Sequence, residues 1–198
     1  WEAVVERALV RPGDRVLVHG GAGGVGHVAV QLAKAAGAVV YTTVSSEKKA
    51  ALAMELGADV TLNYKDQTVA AYVEAYTDGE GFDAVIDTVG GDCLAASFAG
   101  ARAGGRVVTI AGRSTQDLAP LHGKGLTLHC VFVLLPLLTG VGRARQGTML
   151  AGLGRMLDLG RLRLVLDEER FSLNNVGAAH ARLESGQVVG KVVLDGWS

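Results

Sequence analysis

Much of what could define this 198-residue chain is scarce. Its only cysteines, Cys93 and Cys130, share no close spacing. That excludes a disulfide scaffold and a Cys-rich zinc site, and it fits a reducing, cytoplasmic compartment. There are 3 prolines and 5% aromatics. Collagen is excluded, because proline is scarce and the glycines have no period of three. Neither sign of charge is in excess, with 19 Lys+Arg against 20 Asp+Glu. No basic surplus faces a phosphate backbone, so neither nucleic acid nor a membrane is expected as a partner. The longest apolar run, Cys130 to Leu138, contains Pro136. It is far short of the ~20 residues a spanning helix needs. The chain opens without Met, on Trp1, Val5, Ala8 and Leu9 at helical spacing, which reads as a cut into a longer polypeptide.

Glycine is what the chain has in plenty. There are 28, about twice the usual ~7%. With 49% apolar residues and a net charge of -1, this is a globular protein and not a disordered one. Arg11 to Asp14 is a turn, Val16 to His19 a short strand, and Gly20 to Gly26 a glycine cluster. Val25, Val28, Ala29, Leu32, Ala33 and Ala36 then form a helical stripe that Gly37 stops. The rhythm repeats: strand Val39 to Val44, a helix from Ser46 to Leu56 ended by Gly57, strand Val60 to Asn63, and a helix marked by Val69, Tyr72, Val73 and Tyr76. Strand Ala84 to Asp87, helix Cys93 to Ala101, strand Arg106 to Ile110 and strand Leu126 to Val133 follow. Such alternation predicts an α/β fold, a doubly wound six-stranded parallel sheet with helices on both faces. Past Pro136 it lapses. Leu150, Leu153 and Leu157 suggest a helix, 161–166 a strand, 174–184 a helix and 190–194 a last strand.

The chemistry is carried by Gly21-Ala22-Gly23-Gly24-Val25-Gly26. It matches G-x-G-x-x-G after a strand and at the start of a helix, the context in which the motif means dinucleotide binding. One glycine permits the tight turn, one lets the backbone approach a pyrophosphate, and one lets helix and strand pack closely. The bland alternative is a glycine-rich turn with no ligand. A Walker-type loop is excluded, because no Gly-Lys-Ser/Thr follows. The end of the second strand bears on which dinucleotide binds. Thr42 to Ser46 hold no acid and precede Lys48 and Lys49. An NAD site usually places a carboxylate there, whereas NADP needs a cation near its 2′-phosphate. The residues favour NADPH. Glu47 is a complication, and the alternative that Ser46 only caps a helix beside solvated lysines stays open.

Residues 13–26 running into 29–37 resemble the medium-chain dehydrogenase/reductase superfamily, most closely its zinc-independent quinone oxidoreductase (zeta-crystallin-like) branch. Glu55-Leu-Gly-Ala-Asp59, Phe82 to Gly91, Gly105-Arg-Val-Val and Gly190-Lys-Val-Val-Leu194 extend the resemblance. It implies a Rossmann sheet in the order 3-2-1-4-5-6. It also implies a dinucleotide-binding domain over 1–140, a continuation over 141–169, and a tail over 170–198 that rejoins an N-terminal GroES-like catalytic domain not in this chain. In that branch Lys49 and Tyr64, beside Ser45 and Ser46, match an NADPH site, with Gly21, Gly23, Gly24, Val25 and Gly26 at the phosphates. Thr88 and Val89, Ala111, Gly112 and Arg113, and Phe132 match stretches near the nicotinamide.

The implied activity is NADPH-dependent hydride transfer to a small-molecule substrate, a quinone or α,β-unsaturated carbonyl, with a homodimer formed through the 126–135 edge strand. A zinc-dependent alcohol dehydrogenase with ligands upstream, or a non-catalytic NADPH-sensing module, are the alternatives. No catalytic residue is assigned. His19, His27, His122, His129 and His180 lack metal-ligand spacing, so no metal site is expected. His19 and His27 read as structural, Asp87 as a carboxylate satisfied by backbone N–H groups, and no Ser occupies a nucleophile elbow.

Overall fold

The computed structural model describes residues 1–196. The first strand, β1 (Arg15–His19), feeds the glycine turn and α1 (Gly26–Ala35), and then β2 (Val39–Val44), α2 (Glu47–Glu55) and β3 (Val60–Asn63) follow. The chain next crosses through α3 (Val69–Thr77) to β4 (Phe82–Asp87), α4 (Asp92–Gly100), β5 (Ala101–Thr109), α5 (Ala119–Lys124) and β6 (Thr127–Cys130). These six strands are parallel, in the order β3-β2-β1-β4-β5-β6. The strand order reverses between β1 and β4, the switch point at which doubly wound sheets open a crevice.

Both faces are covered, which is why the central strands are continuously apolar rather than alternating. Val16, Val18, Val40, Ala84 and Ile86 pack with Val30 and Ala33 of α1 and Ala53 of α2 on one face. Leu17, Tyr41, Leu62, Phe82 and Val85 pack with Tyr72 of α3 and Leu94 and Phe98 of α4 on the other. Phe82 is fully buried, in edge contact with Tyr41 at a centroid distance of 5.1 Å. Ser46 and Thr68 cap α2 and α3 by accepting the N–H of Lys49 and Ala71. Lys124 caps the far end of α4, donating to the carbonyls of Phe98, Ala99 and Ala101.

The remainder is α6 (Leu135–Thr139), α7 (Arg143–Asp158), β7 (Leu166–Ser172), α8 (Val176–Glu184) and β8 (Lys191–Asp195), with β7 and β8 forming a separate parallel pair. The last two residues of the 170–198 tail lie outside the described residues.

Several expectations are corrected. The opening helix is only a π-helical turn, Glu2–Arg7. β5 begins at Ala101, directly after α4, because Ala101 pairs with Phe82 across a register shift. α5, with Pro120 in its first turn, went unread. β6 ends at Cys130 instead of reaching Val133. The chain then turns toward α6, whose first turn accommodates Pro136. The strand expected over 161–166 lies instead at Leu166–Ser172. Residues 163 and 165 are diverted by α1: Gln31 both accepts the N–H of Arg163 and donates to its carbonyl, and His27 Nε2 accepts the N–H of Val165. Among the described residues no helix is long and apolar enough to cross a membrane.

Candidate functional site

The turn from β1 into α1 is built so tightly that side chains are excluded. A Cβ on Gly26 would collide with the Gly20 carbonyl, and one on Gly21 with the Thr42 side chain. Gly20 itself has φ +73°, where L side chains are strained. The result is a helix start with bare backbone. Val25, the residue before α1, contributes no side-chain cap. Among the described residues the N–H groups of Gly24, Val25 and Gly26 donate to no acceptor. Three free donors at the positive end of a ten-residue helix are an arrangement suited to an anion.

His27 fixes this turn to the tail. Its Nδ1 donates to the Gly23 carbonyl at 2.8 Å while Nε2 accepts from Val165. The bond from Val165 requires an unprotonated Nε2 and so the neutral ring; burial lowers the pKa of His27, and this outweighs the Gly23 bond, which raises it. Lys191, at the start of β8, lies across the turn: its Nζ is 3.0 Å from where a Cβ on Gly24 would stand. Among the described residues Lys191 makes no ion pair with a carboxylate.

Two cavities open near the end of β2, the first of them beside the turn. One, of about 650 Å³, runs along the ends of β1, β2 and β4 and is lined by Gly20, Gly23, Ser45, Lys49, Tyr64, Tyr72, Val89 and Cys93, with His19 at its inner wall. The other, of about 510 Å³, lies between α2 and the tail and is lined by Ser45, Ser46, Lys48, Lys49, Lys65, Arg182 and Gln187. Ser45 and Lys49 border both. Ser46 uses its hydroxyl to cap α2, as the bland alternative had it, yet it also lines the smaller cavity. Lys48 pairs with Glu168 at 3.6 Å. Lys49 Nζ donates to the Gly186 carbonyl at 3.0 Å, a neutral partner that leaves its charge uncompensated.

Of the expected residues, Gly23, Ser45, Lys49, Tyr64 and Val89 line the larger cavity and Ser45, Ser46 and Lys49 the smaller, while Gly21, Gly24, Val25 and Gly26 belong to the adjoining turn and line neither. Thr88 donates to the His19 carbonyl at 2.7 Å. Ala111, Gly112, Arg113 and Phe132 follow β5 and β6 on the same edge of the sheet but line neither cavity. Asp87 is fully buried: Oδ1 accepts the N–H groups of Val89 and Gly90, and Oδ2 the Thr109 hydroxyl. These bonds make it an organiser of the loop after β4.

Sequence reasoning missed Lys191, Lys65, Arg182, Tyr72 and the cavity position of His19. The Gly190-Lys191 pair was visible, but nothing local tells that β8 returns to the first glycine turn.

Residues 24–138 match the model of a family described as zinc-binding dehydrogenase. This chain belongs to it. It is a cofactor-binding domain of the medium-chain dehydrogenase/reductase superfamily. It is 34% identical over 98% of its length to the "Probable quinone oxidoreductase" of Schizosaccharomyces pombe, of which it spans 58%. A solved alcohol dehydrogenase superfamily protein from Novosphingobium aromaticivorans matches 96% of the chain at 38% identity and a TM-score of 0.88, over 57% of that protein. The Escherichia coli quinone oxidoreductase, solved with NADPH, matches 98% at 25% identity and a TM-score of 0.86, over 60% of its length. Despite the family's description, among the described residues no three His, Cys, Asp or Glu side chains come together to hold a metal ion. The residues present therefore do not fit zinc.

Proposed function

We propose that this chain is the NADPH-binding half of a reductase acting on a quinone or an α,β-unsaturated carbonyl. The carrying observation is the crevice itself. Bare N–H donors suited to a pyrophosphate sit at one point, and an acid-free strand end with Ser45, Ser46 and an unneutralised Lys49 sits at another. The residues fit the cofactor. Gly24, Val25 and Gly26 would donate to the diphosphate, with Lys191 supplying the counter-charge. Ser45 and Lys49 would hold the 2′-phosphate, joined by Tyr64 at the rim. Bound NADPH supplies a hydride, so the protein's part is to orient the ring and exclude water. Ala111, Gly112, Arg113 and Phe132, on the same edge of the sheet, are assigned to the nicotinamide end. That the E. coli relative was solved with NADPH supports the choice of cofactor.

Because the chain spans little more than half of its relatives, the substrate wall is assigned to a catalytic domain outside it. The chain alone is expected to bind NADPH and to oxidise it only slowly with a quinone, whereas a protein carrying both halves turns over. Rapid quinone reduction by the chain alone, followed by the loss of NADPH absorbance, overturns that division.

We assign the face beyond β6 to a second copy of the chain. β6 is the edge strand, and Phe132, Val133, Leu134, Leu135, Leu137 and Leu138 are about half exposed or more, an apolar surface that an isolated edge would not favour. Light scattering that finds only monomer at micromolar concentration contradicts it.

A further inference from the structure

Among the described residues one buried side-chain nitrogen or oxygen has no hydrogen-bond partner, and it is His19 Nε2. The residue is 3% exposed. It ends β1 two positions beyond Leu17 and so shares that residue's sheet face, the one packed by α3 and α4. It also lines the larger cavity, together with Gly23, Ser45, Tyr64 and Val89.

The rest of the ring shows what the free nitrogen offers. Nδ1 lies 3.3 Å from Thr43 Oγ1, and that oxygen already accepts the Gly20 N–H at 3.0 Å. The hydroxyl keeps one proton to give, and Nδ1 is the acceptor beside it. With the hydroxyl proton given to Nδ1, the ring proton sits on Nε2. Burial holds the His19 pKa down at about 4, so the ring is neutral and Nε2–H is an uncharged donor. A buried donor without an acceptor destabilises a fold and calls for an explanation; here the cavity supplies one.

We propose that His19 is a cofactor-contacting residue whose Nε2–H is reserved for an acceptor atom on the adenosine part of the dinucleotide. The inference rests on the dinucleotide reading above. Its geometry follows from the two charged anchors: the free N–H groups at the start of α1 face the diphosphate, and Ser45 with Lys49 faces the 2′-phosphate. The larger cavity lies between them, so it is the nucleoside that fills it. Val44, Tyr72, Val89 and Ala96 give it apolar walls suited to a flat heterocycle, and His19 provides a polar point deep inside. Of the residues expected at the nicotinamide end, Ala111, Gly112, Arg113 and Phe132 do not line it, whereas Val89 does.

The test is calorimetric titration of the chain with adenosine 2′,5′-bisphosphate, alongside the ligand-free melting temperature, for wild type, His19→Leu and His19→Gln. His19→Leu is expected to weaken binding about tenfold, the usual scale for one lost buried hydrogen bond. Its ligand-free melting temperature should stay close to wild type, because removing the unpaired Nε2–H offsets the loss of the Thr43 bond to Nδ1. His19→Gln retains an N–H donor and should recover much of the affinity. Unchanged affinity in His19→Leu overturns the assignment of His19 alone. So does an affinity that merely follows the ligand-free melting temperature across the variants, which marks a packing role. Failure of wild type to bind both the bisphosphate and NADPH overturns the dinucleotide reading, and this inference with it.

Discussion

The two ends of the six-stranded sheet are finished differently. At the amino ends of the strands, charges are paired. Asp83 accepts the Arg15 N–H at 2.7 Å and the Arg102 guanidinium at 2.6 Å, and these bonds hold its carboxyl below the usual range despite partial burial. Asp14 takes Arg106 at 2.8 Å, whose guanidinium also donates to the carbonyls of Ala8 and Leu9. At the carboxyl ends, groups are left open: three backbone N–H groups, His19 Nε2, and Lys49 and Lys191 without carboxylate partners. One end is spent on holding the fold, and we propose that the other is held back for a ligand. Substitutions at the two ends should therefore separate stability from binding.

The largest effect is expected from Gly26→Val. Its side chain must displace the Gly20 carbonyl, so NADPH binding should weaken at least about a hundredfold and stability should fall as well. Retained affinity by calorimetry would mean that the turn is not the phosphate site. Acid should come next. The ring of His19 has its pKa lowered from 6.5 to about 4, and His27 shifts the same way. The unfolded chain therefore takes up these protons more readily than the native one. The stability they contribute is complete above about pH 6.5 and is lost as pH falls toward about 4, on the order of 3 kcal/mol for His19. Urea midpoints measured between pH 7 and pH 4 that do not move would contradict this. Asp83→Ala, at the opposite end, should cost about 2 kcal/mol of stability and leave NADPH affinity within about twofold at a temperature where the variant is folded. A large affinity loss there would erase the distinction between the two ends.

How far the sequence could be read follows the same division. The strands and helices through β5 were legible because a sheet covered on both faces demands short apolar runs, and glycines or Ser and Thr caps punctuate them. Gly26 was legible because its constraint is local, a collision within the same turn. Lys191 was not, because it meets Gly24 only through the return of a distant strand. Similarly, the 161–166 segment alternates like a strand, but side chains of α1 take its hydrogen bonds, and no local pattern announces Gln31 as their donor and acceptor. The glycines between 140 and 160 divide in the same way. Gly140 and Gly142 have φ of +74° and +88°, the first ending the five-residue α6 and the second preceding α7, and a Cβ on Gly152 would stand 3.6 Å from the Trp1 ring. Nothing in the structure explains Gly147 or Gly154.

The central claim is that the open carboxyl end is shaped for a dinucleotide bearing a 2′-phosphate. The most direct measurement is paired titration of the wild-type chain and Lys49→Glu with NADPH and NADH. Wild type should bind NADPH at least about tenfold more tightly than NADH, and Lys49→Glu should abolish that preference while leaving NADH affinity nearly unchanged. A wild-type chain that binds NADH as tightly as NADPH, or a preference that survives Lys49→Glu intact, would contradict it.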